Sequence, residues 1–193
     1  NSQMDPLRAF QARLNGVKPK DEWEALGLDK RSDLENLRRV FDRLDIDEKG
    51  FVDKYDIERM YQMIGYKCKS MTEYGISEAA DVIWENDEED EGHLDFPTFV
   101  RCYVRCNKDK REPRRLFNLI EFMICDKDGA GNVSEDEVAE VLRLRYGSSV
   151  MRLVTEKVYQ RGMDALKAIS YAEFLELLQF FEANAAGGAP GGG

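Results

Sequence analysis

Asp126, Asp128, Ser134 and Glu137 are oxygen-bearing side chains set at the spacing of a single short loop. Calcium is a hard cation that takes about six to eight oxygens. A twelve-residue loop supplies them from positions 1, 3, 5, 7, 9 and 12, with a backbone carbonyl at 7, a bidentate carboxylate at 12 and glycine at 6. The stretch "DKDGAGNVSEDE", 126–137, puts Asp126 at 1, Asp128 at 3, Gly131 at 6, the Asn132 carbonyl at 7, Ser134 at 9 and Glu137 at 12. Ala130 at position 5 has no side-chain oxygen, so water must fill that place at a cost in affinity. The expected chemistry is reversible capture of Ca2+ at one site, with Mg2+ as a competitor.

Three further stretches share this register and depart from it more. Loop 1, "DIDEKGFVDKYD", 45–56, keeps Asp45, Asp47, Gly50, Val52 and Asp53, but places Lys49 at position 5 and closes on Asp56, one methylene shorter than glutamate. An ammonium beside a divalent ion is repulsive, so weak or absent binding is expected unless Lys49 swings to solvent. Loop 2, "DEEDEGHLDFPT", 87–98, offers Asp87, Glu89, Glu91 and Asp95, yet Thr98 replaces the closing carboxylate. Loop 4, "GMDALKAISYAE", 162–173, keeps Asp164, Ile169, Ser170 and Glu173 but opens on Gly162 and has Leu166 and Lys167 at positions 5 and 6. Loop 3 is the best site, and loops 1 and 2 are doubtful ones. An apolar residue at position 8 lets loops pair as miniature sheets, so Val52 is expected to face Leu94, and Val133 to face Ile169.

The elements that position these loops are helices. "SDLENLRRVFDRL", 32–44, carries Leu34, Leu37, Val40, Phe41 and Leu44 at helical spacing, and Ser32 with Glu35 fits a capping box. Phe122 and Cys125 before loop 3, with Val138 and Val141 after it, fit a flanking apolar face. A unit of apolar helix, polar loop and apolar helix thus recurs about 36–42 residues apart. The divisions predicted are an extension over 1–32, a first lobe over 33–106, a charged linker over 107–113, a second lobe over 114–182 and a Gly/Ala tail over 183–193. The extension reads as a short amphipathic helix over 5–16, with Asp5 as cap and Gly16 as stop, followed by a turn over 21–28 that presents Trp23 and Leu26.

Composition narrows the function. Hydrophobic residues make up 42% of the 193 and proline only 5 positions, which favours an all-α globular chain. A net charge of −10 argues against a nucleic-acid partner. No apolar run reaches the length of a membrane span, and no signal-peptide pattern opens the chain. The 4 cysteines are then expected as reduced thiols in the cytoplasm.

The loop residues and their flanking apolar positions carry a resemblance to the EF-hand proteins of the calmodulin superfamily. It covers roughly 33–182. It implies an all-α fold of four helix–loop–helix hands in two paired lobes, with short β pairing between loops, and protein helices as partners. The layout, with degraded loops and thiols close to the hands, is also similar to the calmodulin-like subunits of ciliary and flagellar complexes that dock the outer dynein arm. That narrower likeness implies an axonemal location and coiled-coil partners.

Other features carry alternatives. Cys102 and Cys106 are four apart on one helix and share a face, and Cys125 abuts loop 3. They read as small core hydrophobes or as redox-sensitive thiols. The segment "RCYVRCNKDKREPRR", 101–115, holds 7 basic residues. It reads as a solvated linker helix or as a contact for an acidic partner such as tubulin. Met60, Met63, Met123, Met151 and Met163 suit a core or a partner groove. His93 is the sole histidine, at a position where a carbonyl is used. Neither a nucleophile with an adjacent base nor a phosphate-binding glycine loop appears, so an enzyme is not expected. The remaining choice is between a calcium-regulated adaptor and a calcium-independent, light-chain-like subunit.

Overall fold

The computed structural model of the chain describes Glu24 and residues 26–69, 77–159 and 168–185. The expected helix over 5–16, Trp23, Gly162, Met163, Asp164, Leu166, Lys167 and the end of the tail lie outside these residues.

Eight α-helices and four three-residue strands make up the regular structure among the described residues. Helix α1 (Arg31–Leu44) turns Leu37, Val40, Phe41 and Leu44 inward, at the spacing that keeps side chains on one helical face. Strand β1 (Phe51–Asp53) leads into α2 (Lys54–Met63). Helix α3 (Glu78–Trp84) is capped by Ser77, whose side chain accepts the Ala80 N–H. Strand β2 (His93–Asp95) then runs into α4 (Phe96–Lys108), where Asp95 accepts the Thr98 N–H and Pro97 sits in the first turn. There proline's missing N–H leaves no bond unmade.

Helix α5 (Arg115–Cys125) precedes loop 3. It is followed by β3 (Asn132–Ser134) and α6 (Glu135–Tyr146). A 3₁₀ turn (Ser148–Val150), a short α7 (Met151–Val154) and a π turn (Thr155–Tyr159) lead towards β4 (Ala168–Ser170) and α8 (Tyr171–Ala185). Helix α8 extends past residue 183, so the first residues assigned to the tail are helical.

The strands form two antiparallel pairs. Val52 lies opposite Leu94, and Val133 opposite Ile169, in the register that their position 8 implies. All four are buried. Each pair therefore fixes two loops with backbone hydrogen bonds over a dry centre.

Two compact units emerge. The first comprises Asn1–Gln62 and Lys67–Ile120, the second Met63–Tyr66 and Glu121–Gly193. The division falls inside α5, after the charged stretch 107–113. Phe117 explains why the start of α5 belongs with the first unit: its ring centroid lies 5.4 Å from that of Tyr103 on α4. The core of the first unit centres on Phe41, edge-on to Phe96 at 5.3 Å and to Phe99 at 5.4 Å. In the second unit Tyr171 meets Phe122 and Tyr66 edge-on, each at 5.0 Å. Such edge-to-face contacts suit the ring quadrupole.

Two expectations are corrected. Helix α1 begins at Arg31, with Lys30 as an N-cap that makes no side-chain bond. Ser32 is thus already inside the first turn and cannot cap it. Glu35 pairs instead with Arg31 at 3.1 Å. The basic stretch is also not simply solvated. Arg114 donates to the Cys106 carbonyl and stacks over Phe117, Arg111 pairs with Asp109, and Arg115 pairs with Glu85. These guanidinium groups are engaged within the chain.

Phe41 is 1% exposed and bridges two other rings. Phe41→Ala is therefore expected to destabilise the first unit by about 3–5 kcal/mol, measured by urea denaturation against the parent.

Candidate metal centre

Loop 3 is built on two helix ends. The Asp126 N–H continues the α5 ladder to the Phe122 carbonyl at 2.8 Å, and Asp126 itself is buried. Its Oδ2 accepts the Gly131 N–H across the loop at 3.3 Å. Asp128 accepts the Ala130 N–H at 3.1 Å, and the Asn132 side chain donates to the Ala130 carbonyl at 3.2 Å. These bonds hold the backbone curled, with the donors in the order that position numbers 1, 3 and 7 demand.

The closing residue is stored in a helix cap. Glu137 Oε2 accepts both the Ser134 N–H and the Ser134 hydroxyl at 2.9 Å, while Ser134 Oγ accepts the Glu137 N–H at 3.2 Å. This is a full capping box at the start of α6. Loop 4 repeats it with Ser170 and Glu173. No three acidic, histidine or cysteine side chains among the described residues converge closely enough to hold a metal. The donor chemistry fits calcium, because Asp126, Asp128, the Asn132 carbonyl, Ser134 and Glu137 are all hard oxygens. Lys127, the only basic residue of the loop, is exposed.

Gly131 is constrained twice. Its φ is +77°, and a Cβ there would stand 3.0 Å from Ile64 Cα and 3.1 Å from the Ile64 carbonyl oxygen. The segment Met63–Tyr66 thus packs directly on the turn of the loop within the second unit. Sequence reasoning named Gly131 for its turn and missed this second role, because the contact joins residues far apart in the chain.

Loop 1 holds a different arrangement. Asp45 accepts the Lys49 N–H at 2.8 Å and the Gly50 N–H at 2.7 Å. The Lys49 side chain turns inward: its ammonium lies 2.8 Å from Asp56 Oδ2 and 3.0 Å from Asp53 Oδ2. The solvent-facing Lys49 considered from the sequence is not observed, because two carboxylates attract it into the loop. Arg59 completes the set, reaching Asp56 Oδ1 at 3.0 Å and Asp47 Oδ2 at 3.1 Å. Burial alone would lower the Lys49 ammonium's pKa, but its bonds to Asp56 and Asp53 outweigh that and raise it. Burial likewise pushes Asp53 up, and the Lys49 hydrogen bond leads the terms that bring it below the usual carboxylate range. The Arg59 hydrogen bond holds Asp47 low. A divalent cation does not fit a loop whose carboxylates are already neutralised in this way.

In loop 2, Asp87 accepts the Glu91 N–H at 3.1 Å and the Gly92 N–H at 2.6 Å. Thr98 Oγ1 accepts from Arg101 at 2.8 Å, so the closing position is held by a cation. Asp95 is committed to capping α4. Glu89 and Glu91 are exposed, and Glu91 approaches the His93 ring at 3.3 Å.

Cys102 and Cys106 are buried, and Cys106 donates to the Pro113 carbonyl at 3.3 Å. The hydrogen bond that Cys102 donates to Cys106, together with burial, pushes the Cys102 thiol far up. The same bond brings Cys106 below the ordinary thiol range, so the two thiols differ in character although both are packed in the core as small hydrophobes. Cys125 is half-buried beside loop 3.

Gly131→Ala is expected to destabilise the second unit by more than the ~1–2 kcal/mol that a left-handed backbone costs a side chain, because Ile64 blocks its Cβ. Gly92→Ala, with φ +76° and nothing within 4 Å, is expected to cost only that backbone term. Thermal unfolding in chelator separates the two.

No family model matches the chain. It is 30% identical to troponin C isoform 2A of Homarus americanus over 146 residues, covering 74% of this chain and 91% of that protein. It is 30% identical to troponin C isotype gamma of Astacus leptodactylus, over 75% of this chain and 93% of the other. With troponin C isoform 1 of Balanus nubilus the identity is 28%, over 80% and 94% respectively. Helices joined by two loop–loop strand pairs, acidic loops and relatives of this kind agree. The chain belongs to the EF-hand calcium-binding regulatory proteins of the calmodulin superfamily, with troponin C among its relatives, and it is not an enzyme.

Proposed function

We propose that this protein is a calcium-tuned adaptor that grips helices of a larger assembly, with loop 3 as its one competent site. The observation that carries this reading is the contrast between loops. Loop 3 keeps hard oxygens at positions 1, 3, 7, 9 and 12, with its lone lysine turned out to solvent. Loops 1 and 2 have basic side chains on their closing residues. Asp126, Asp128, the Asn132 carbonyl, Ser134 and Glu137 would hold the ion, and the ion would supply charge that draws Glu137 out of its cap. Mg2+ competes for the same oxygens.

Exposed apolar side chains support a protein partner. Leu144 is 69% exposed, Tyr55 62% and Met63 58%. Side chains of this type provide large contact area when a helix covers them. The setting we propose is the axoneme, with coiled-coil subunits of the outer dynein arm docking complex as partners. Its support is the likeness of layout. We propose further that oxidation of Cys125 weakens the neighbouring loop, so that reductant strengthens calcium binding.

Calorimetric titration of the reduced protein, with magnesium present, tests the main reading. One calcium site with a dissociation constant on the order of 10⁻⁵ M is expected, and Glu137→Gln should abolish it. At free calcium about 100 times that constant, linkage should add about 2.7 kcal/mol to the stability of the second unit. Ala130→Asp should tighten binding by restoring an oxygen at position 5. No heat in the parent protein would leave a calcium-independent, light-chain-like subunit as the function.

A further inference from the structure

We propose that Lys49 and Arg59 neutralise the carboxylates of loop 1 at positions 3, 9 and 12, and that Arg101 occupies the closing position of loop 2, so that this pair of loops folds without metal and does not respond to it. This deepens the one-site reading by saying what silences the other pair, and it stands whether or not loop 3 itself binds calcium.

The charge in loop 1 is the first ground. Lys49 bridges the carboxylates at positions 9 and 12, and Arg59 bridges those at positions 3 and 12. The two side chains together bring the charge of one divalent ion. Both oxygens of the buried Asp56 are taken, one by each cation. Asp45, at position 1, is already satisfied by two backbone N–H groups. A metal ion entering here would have to eject an ammonium and a guanidinium, lose its own water and still find only a short aspartate at position 12. Breaking a buried ion pair by removing one partner is costly, because it strands the other charge.

The second ground is a register shared by both loops of the pair. Arg59 lies three residues after the closing Asp56, and Arg101 lies three residues after the closing Thr98. One helical turn returns each guanidinium to the loop, where it donates to the closing residue. Arg101 and Arg105 also hold Glu88, at position 2 of loop 2. The corresponding residues after loops 3 and 4 are Glu140 and Glu176. Glu140 pairs with Arg143 further along α6. The same helical position therefore carries a cation after loops 1 and 2 and an anion after loops 3 and 4.

The experiment uses full-length ¹⁵N-labelled protein carrying Glu137→Gln, which silences loop 3. The Gly50 and Gly92 amides report their loops, since each donates to the aspartate at position 1. Both resonances are expected at the same hydrogen-bonded positions in chelator and in about 1 mM calcium. A saturable calcium-dependent shift of either would overturn the proposal. Lys49→Asn, added to the same background, supplies an oxygen and removes the cation. Its Gly50 resonance should then move on adding calcium, and its thermal midpoint in chelator should fall by about 3 °C or more and recover with calcium. A Lys49→Asn protein indistinguishable from its parent in chelator would overturn the proposal as well. Failure of that variant to fold in chelator is the expected loss in its extreme form, and the calcium titration of the parent still decides for or against a silent pair.

Discussion

Several carboxylates crowded into one short loop repel one another unless a cation or backbone N–H groups answer them. That constraint organises the molecule. Loop 1 answers it with Lys49 and Arg59, loop 2 with Arg101 and with threonine in place of its last carboxylate. Loop 3 answers it by diverting Glu137 into a helix cap, where its charge meets the N-terminal end of α6. Two of these solutions are permanent parts of the chain. The third commits the carboxylate to hydrogen bonds with Ser134 and leaves it without a basic partner from its own loop.

The strand pairs give that difference its reach. Val52 against Leu94 and Val133 against Ile169 tie each loop to a partner through backbone hydrogen bonds. A loop that has lost its ligands still fixes the geometry of the one beside it. Loop 4 keeps Ile169, Ser170 and Glu173 in the same strand-and-cap arrangement as loop 3. The strand residue Ile169 and the Ser170–Glu173 cap it retains shape the loop beside it.

Much of this was legible in the sequence. Position 8 of each loop gave the strand register, and the spacing of Phe122, Val138 and Val141 placed the buried faces around loop 3. These are local patterns, set by periodicities that backbone geometry imposes. What remained hidden depended on choices between near-equal local options. Lys49 has a long flexible stem, and its inward course was decided by Asp53 and Asp56, four and seven residues further along the chain. Ser32 fitted a cap by type, but the cap position fell two residues earlier, at Lys30. The arginines of 101–115 looked like a solvated run because their partners, Glu85 and Glu88, lie in another element.

Gly131 illustrates how such a site ages. Its backbone must turn left-handed, and the Ile64 main chain stands where any side chain would go. Should Asp126 and Glu137 be lost over generations, the selective pressure on this glycine would persist, because packing enforces it independently of any ion. A glycine at the sixth position of a decayed hand is in that sense a fossil of architecture, and it carries no record of whether calcium was ever bound there.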